Sequence, residues 1–151
     1  MALLNKRGFR FAETMSGTFA FVDEPDEQRR FSFSIECVAP SAFGYLRTGK
    51  LHMKGTLEAD GLASFVPIDG TMVMLPLTHK FIKYSFHFTG DDGMPYTFQG
   101  QKDISFLDMR RSFSYLPGEV TNHTGKVIAT AKTHFDIKAD MFQFLMSWKP
   151  A

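Results

Sequence analysis

Apolar residues recur at every second position along most of this chain, and that period decides what it can become. Alternate side chains of an extended strand point to opposite faces, so one face can be buried while the other stays wet. Phe31, Phe33, Ile35 and Cys37 alternate with Ser32, Ser34 and Glu36. Leu51, Met53, Gly55 and Leu57 alternate with His52, Lys54 and Thr56. Ile82, Tyr84, Phe86 and Phe88 alternate with Lys83, Ser85 and His87. The same habit predicts strands over 9–21, 62–68, 71–75 and 96–102. A later one starts at Phe113 and Tyr115 and is interrupted near Leu116-Pro117-Gly118, and a last one runs from Gly125 through Ile137.

The junctions carry their own signal. Glu58-Ala-Asp-Gly61, Ile68-Asp-Gly70, Gly90-Asp-Asp-Gly93 and Asn122-His-Thr-Gly125 each end in a glycine between alternating runs. Glycine supplies the positive φ that tight hairpin turns demand. Strand after strand joined this way predicts an all-β, antiparallel, up-and-down meander of about eight to ten strands, closed into a barrel because closure removes both exposed edges. Two segments depart from the period of two. Ser41 to Arg47 predicts a short helix, capped by Ser41 and stopped at Gly49. Met141, Phe144, Leu145 and Trp148 fall at helical spacing behind Asp140 and predict a C-terminal helix near 140–148. With no linker or repeat, residues 1–151 are expected to form a single β-barrel domain.

Composition narrows the functional classes. Charged residues make up 22% of the 151 and the net charge is only +1, with no basic stripe of the kind a nucleic-acid binder carries. No apolar run approaches the roughly 18 residues of a membrane-spanning helix, and the opening Met-Ala-Leu-Leu-Asn-Lys-Arg lacks the pattern of a secretory signal. A lone cysteine, Cys37, gives no internal disulfide framework, so a reducing cytoplasm is expected. The five histidines show no metal-ligand spacing, and no nucleotide-binding or hydrolase motif occurs. No metal, cofactor or catalytic residue is therefore expected. Asp91-Asp92 reads as turn chemistry at a hairpin tip. Asp23 to Glu27 with Arg29 and Arg30 reads as a solvated loop with ends of opposite sign. The unusual abundance is of phenylalanine, 17 copies, with nine methionines. Such side chains fill a wide core or line an apolar pocket.

One residue conflicts with its surroundings. In Phe9-Arg-Phe-Ala-Glu-Thr-Met-Ser-Gly-Thr-Phe-Ala-Phe21, Glu13 shares the apolar face with Phe9, Phe11, Met15, Gly17, Phe19 and Phe21. Burying a carboxylate is costly without a partner. Lys102 is a candidate partner, in phase with Tyr96, Phe98 and Gly100 on another strand. The two could meet in the barrel interior and fix strand register or orient the polar end of a lipid-like ligand, or sit wet at a rim. Gly17 and Gly100 mark a strand bend, a close approach, or room for that ligand.

Glu13-Thr-Met-Ser-Gly17 and Asp92-Gly-Met-Pro-Tyr-Thr-Phe-Gln-Gly-Gln-Lys102 carry a resemblance. They resemble segments of an accessory β module found with cholesterol-oxidase-like flavoproteins of the glucose-methanol-choline group. These residues include no flavin-binding segment, so the resemblance implies association with sterol or lipid metabolism, or docking on an oxidoreductase partner, rather than flavoenzyme activity. Glu13, Gly17, Gly100 and Lys102 are the matching positions. A second similarity is to the calycins, the lipocalin and fatty-acid-binding barrels. Gly17-Thr-Phe19 stands where lipocalins carry G-x-W.

The resulting expectation is non-catalytic binding of a hydrophobic small molecule, lipid or sterol-like, inside the barrel. Phe11, Glu13, Met15, Gly17, Tyr84, Phe98, Gly100 and Lys102 would form the site. The alternatives are an accessory module docking on a separately encoded oxidoreductase, and a small barrel enzyme with Glu13 as acid or base, assisted by Tyr84 or Tyr96.

Overall fold

A computed structural model describes residues 8–75, 79–135 and 149–150 of the chain. The strands follow one another in order: β1 (Phe9–Phe21), β2 (Arg29–Ala39), β3 (Lys50–Ala59), β4 (Ala63–Leu75), β5 (Phe81–Thr89), β6 (Pro95–Asp103), β7 (Tyr115–Asn122) and β8 (Val127–His134). Each pairs antiparallel with the next, and β8 returns to pair with β1 from Ser16–His134 to Phe21–Ala129. The predicted meander therefore closes, as an eight-stranded barrel. A two-residue strand, β9 (Lys149–Pro150), pairs with Phe9 and Arg10, on the part of β1 that β8 does not reach.

In a meander, successive connections lie at alternate ends of the barrel, and here the two ends differ. Tight turns join β3 to β4, β5 to β6 and β7 to β8 at one end, with Gly61, Gly93 and Gly125 at φ of 81°, 80° and 86°. The Asp23–Glu27 loop between β1 and β2 lies at this same hairpin end. Arg29 ties it down, 3.5 Å from Glu24, 3.3 Å from Glu27 and 3.9 Å from Asp60. The other end carries the two longest connections, both helical. Helix α1 (Ala42–Thr48) links β2 to β3, and helix α2 (Met109–Ser114) lies between β6 and β7. As expected, the Ser41 hydroxyl caps α1 by accepting from the Gly44 N–H at 3.2 Å, and Gly49 ends it at φ 69°.

The two phases of the strands separate as their sequence requires. The outward phase of β1 and β2 forms a hydroxyl ladder, Thr14 with Ser34 at 3.0 Å and Ser16 with Ser32 at 3.2 Å. His52 and Lys54 on β3 also face out and are exposed. Such an outer wall is the inverse of a lipid-facing barrel, whose apolar residues point outward. No described helix is long and apolar enough to cross a membrane. The inward phase packs toward the hairpin end, where Phe19, Phe31, Phe33, Phe86 and Phe98 are all at most 1% exposed. Their rings interlock, with centroids 4.8 Å apart for Phe86–Phe98, 5.2 Å for Phe33–Phe86 and 5.5 Å for Phe31–Phe98. These are the separations at which aromatic pairs add to simple burial.

Three local expectations are corrected. Asp69-Gly70 is not a turn: β4 runs unbroken from Ala63 to Leu75, and Gly70 pairs with Met53 on one side and Phe86 on the other. A Cβ at Gly70 would collide with the Ser85 carbonyl, so this glycine serves a close approach between strands rather than positive φ. Gly17 does the same against the Lys132 carbonyl of β8. Phe113 belongs to α2 and not to a strand. The helix has only six residues and no apolar stripe, and Phe113 and Tyr115 by themselves mimic a strand's alternation. Finally, β7 continues through Leu116-Pro117-Gly118. The β6 ladder ends at Gly100–Gly118, so Pro117 interrupts no pairing with that neighbour. The last barrel strand ends at His134, and Ile137 with the helix expected near 140–148 lies outside the described residues.

Candidate ligand-binding site

The helical end of the barrel is hollow where the hairpin end is solid. A cavity of about 440 Å³ lies there, walled by Phe11 of β1, Met72 and Met74 of β4, Ile82 of β5, Phe113 of α2 and Phe135 beyond β8. Met109 and Arg110 of α2 also line it. Its polar groups are few, and they belong to Glu13 of β1, Tyr84 of β5 and Lys102 of β6; Arg110 itself is exposed.

Glu13 and Lys102 do meet. They stand on strands well separated around the ring, and each takes the inward phase of its own strand, so both project into the lumen. Lys102 Nζ lies 3.7 Å from Glu13 Oε1, with the two side chains only 3% and 8% exposed. The Tyr84 hydroxyl donates to the same Glu13 Oε1 at 2.5 Å. The ammonium also lies over two ring faces, 5.2 Å from the Tyr84 centroid and 5.9 Å from that of Phe135. A carboxylate among phenylalanines is thus answered by a cation, a phenol and the negative faces of two rings.

Burial shapes the titration of this cluster. It pushes Lys102 below the ordinary lysine value because the charged form is desolvated, while the Glu13 charge pulls the other way. It drives Tyr84 well above the usual phenol value, and the Glu13 charge and hydrogen bond reinforce the shift. Cys37, aligned with Phe11 across β1 and β2, is also pushed up by burial, so the thiol stays protonated and inert.

Four of the eight residues expected at the site come together at the cavity: Phe11, Glu13, Tyr84 and Lys102. Met15, Gly17, Phe98 and Gly100 do not line it. Met15 and Phe98 are fully buried in the packed core, and Gly17 is occupied by the close approach of β8. A Cβ at Gly100 would meet the Pro117 carbonyl of β7 first and then Leu116 and the Phe98 ring, so this glycine serves a close approach of strand and core, not a ligand. Tyr96 is also remote. Its hydroxyl donates to Asp92 Oδ2 at 2.6 Å in the β5–β6 hairpin. Sequence reasoning missed Met72, Met74, Ile82, Met109, Arg110, Phe113 and Phe135 as lining residues. Met72 and Met74 already share one phase of the expected 71–75 strand, and only closure of the barrel sets that phase beside Glu13 and Lys102, while the α2 residues are brought over the barrel end by tertiary packing alone.

No metal-binding group occurs among the described residues. Asp92 serves the turn, accepting from the Met94 N–H at 3.0 Å, whereas Asp91 ties the β5–β6 hairpin to β4, accepting from the Ser64 N–H at 3.0 Å. Comparison with protein families, curated proteins and solved structures finds no match to this chain.

Proposed function

We propose that this barrel binds a hydrophobic small molecule, lipid or sterol-like, in the cavity at its helical end. The observation that carries this reading is an apolar cavity of about 440 Å³ with one buried polar cluster on its wall. Protein interiors normally close over voids larger than a water molecule. Small-molecule sites range over roughly 300–1,000 Å³ and combine apolar walls with a few convergent polar groups. The Phe and Met walls would take the apolar body, and Glu13, Tyr84 and Lys102 would orient one polar end. The resemblance to the accessory module of cholesterol-oxidase-like proteins points to the same class of ligand, and the calycin similarity to the same mode of holding it. The lone thiol at Cys37, buried and without a disulfide partner, fits a reducing cytoplasm.

Thermal unfolding with a panel of fatty acids, long-chain alcohols and sterols tests the reading. A ligand at about 100 times its Kd adds roughly 2.7 kcal/mol to stability and raises Tm by several degrees. Met72→Trp, which fills the cavity, should abolish the shift. A panel that leaves Tm unmoved in the parent protein would remove the carrier reading.

An accessory role, docking on a separately encoded oxidoreductase, is the second reading. Phe106, 50% exposed, and Leu107, fully exposed, favour it; they stand beside Met109 in sequence and give that end an apolar outer surface. It predicts that Leu107→Asp leaves the ligand-induced Tm shift intact while weakening association with the oxidoreductase.

A further inference from the structure

Holding an inert apolar chain would not require an amine, yet Lys102 presents one to the cavity. An ammonium has three N–H donors. Among the described residues only Glu13 supplies Lys102 with an oxygen, and at 3.7 Å that contact is loose. A buried ion pair in apolar surroundings can collapse to a neutral amine and a neutral acid by passing one proton. Burial already holds Lys102 below the ordinary lysine value by desolvating the ammonium, while the Glu13 charge pulls the other way. Amines desolvated in apolar pockets are nucleophiles toward carbonyl carbon.

We propose that Lys102 captures the aldehyde or ketone end of an apolar ligand as a reversible imine, with Glu13 carrying the proton. The Lys102 ammonium passes a proton to Glu13, and the freed lone pair forms a nitrogen–carbon bond to the carbonyl carbon. The C=O π pair moves to oxygen, which takes a proton from the new nitrogen centre to give a carbinolamine. Glu13 returns its proton to that hydroxyl, which leaves as water while the nitrogen lone pair closes the C=N bond. Nothing is oxidised or reduced, and ammonium plus carbonyl becomes protonated imine plus water. The positive charge beside Glu13 is the same before and after, so the site accepts the product without a new unpaired charge. Tyr84 is a positioning residue here. Its hydrogen bond to Glu13 Oε1 holds the carboxylate toward the amine.

The inference rests on the carrier reading and sharpens it to carbonyl ligands, so the test must separate the two. Decanal is added with sodium cyanoborohydride at neutral pH, and the decyl adduct is mapped by peptide mass spectrometry. Decan-1-ol, which has no carbonyl, is followed in parallel by thermal shift. The expected result is an adduct on Lys102 in preference to the exposed Lys54, Lys83 and Lys132, with a Tm rise from the alcohol. Glu13→Gln should slow labelling of Lys102 by about a hundredfold if the carboxylate carries the proton. Without that role the same substitution would speed labelling, because it removes the charge that favours the ammonium. Mapping on the parent protein needs no variant, so a failure of Glu13→Gln to fold leaves the first arm decisive. Stabilisation by the alcohol with no preference for Lys102 overturns the imine and leaves the carrier reading standing. No effect from alcohol or aldehyde overturns both.

Discussion

The hairpin end and the helical end of this barrel are built from the same eight strands and the same alternation, yet one is solid and the other is hollow. At the hairpin end the connections are short, and Phe19, Phe31, Phe33, Phe86 and Phe98 fill the lumen ring against ring. At the helical end the inward positions are Phe11, Glu13, Met72, Met74, Ile82, Tyr84 and Lys102, and α2 lies over a space these side chains leave open. The lesson is about division of labour. Aromatic packing at one end holds the barrel closed, which frees the other to keep a cavity and a buried ion pair, both of which cost stability.

The sharpest way to break this comparison is truncation at both ends. Phe33→Ala should destabilise by about 3–5 kcal/mol in urea denaturation, since the hole it leaves is ringed by rigid neighbours. Phe113→Ala, on a half-buried position that already borders open space, should cost about 1 kcal/mol, the ordinary size of a point substitution. Equal losses would mean that the helical end is as tightly packed as the other.

Next in size is the buried pair. Glu13→Ala alone should cost about 3 kcal/mol, because it leaves the Lys102 charge without its partner. The double replacement Glu13→Leu with Lys102→Met should recover most of that loss, since two apolar side chains need no pairing. Additive single effects in that cycle would show that the two groups do not act as a pair.

The smallest effect compares two phenols. Tyr96, at the hairpin end, has its pKa pushed up to about 12 by its hydrogen bond to Asp92, with burial and the Asp92 charge adding to it. Its folded-state pKa exceeds the ordinary value of 10.0, so this stabilisation is complete below pH 10 and is lost as the pH climbs toward about 12. Asp92→Asn should bring the Tyr96 transition down toward 10 in an ultraviolet absorbance titration. Tyr84, at the helical end, is buried and held well above the usual value, so its transition should not move with that substitution. A Tyr84 signal that shifts with Asp92→Asn would mean that the two ends are coupled.

Much of this was legible before any coordinates. Alternation specified the strands because a half-buried strand has no other economical pattern, and Gly61, Gly93 and Gly125 specified three turns because only positive φ makes them. Glu13 and Lys102 stood out as charges on apolar phases. Other features were hidden for physical reasons. Gly70 carries the same Asp-Gly signature as a turn, yet it answers to a carbonyl of β5 that only sheet pairing brings near. The α2 helix is too short to show a helical period, and its Met109 and Phe113 reach the cavity only because the barrel closes beneath them.

What these residues determine by themselves, then, is which atoms go inside, because the two-residue period and the turn glycines are local properties of a chain in water. Which inward atoms meet across the lumen is a matter of closure. The β5–β6 hairpin already sets Tyr84 near Lys102, but Glu13 lies far off in sequence on β1, and only the curvature and register of the whole sheet draw it to them. Whether the space beside them fills or stays empty depends on the summed volumes of side chains from every strand and from α2, a quantity that no local pattern contains.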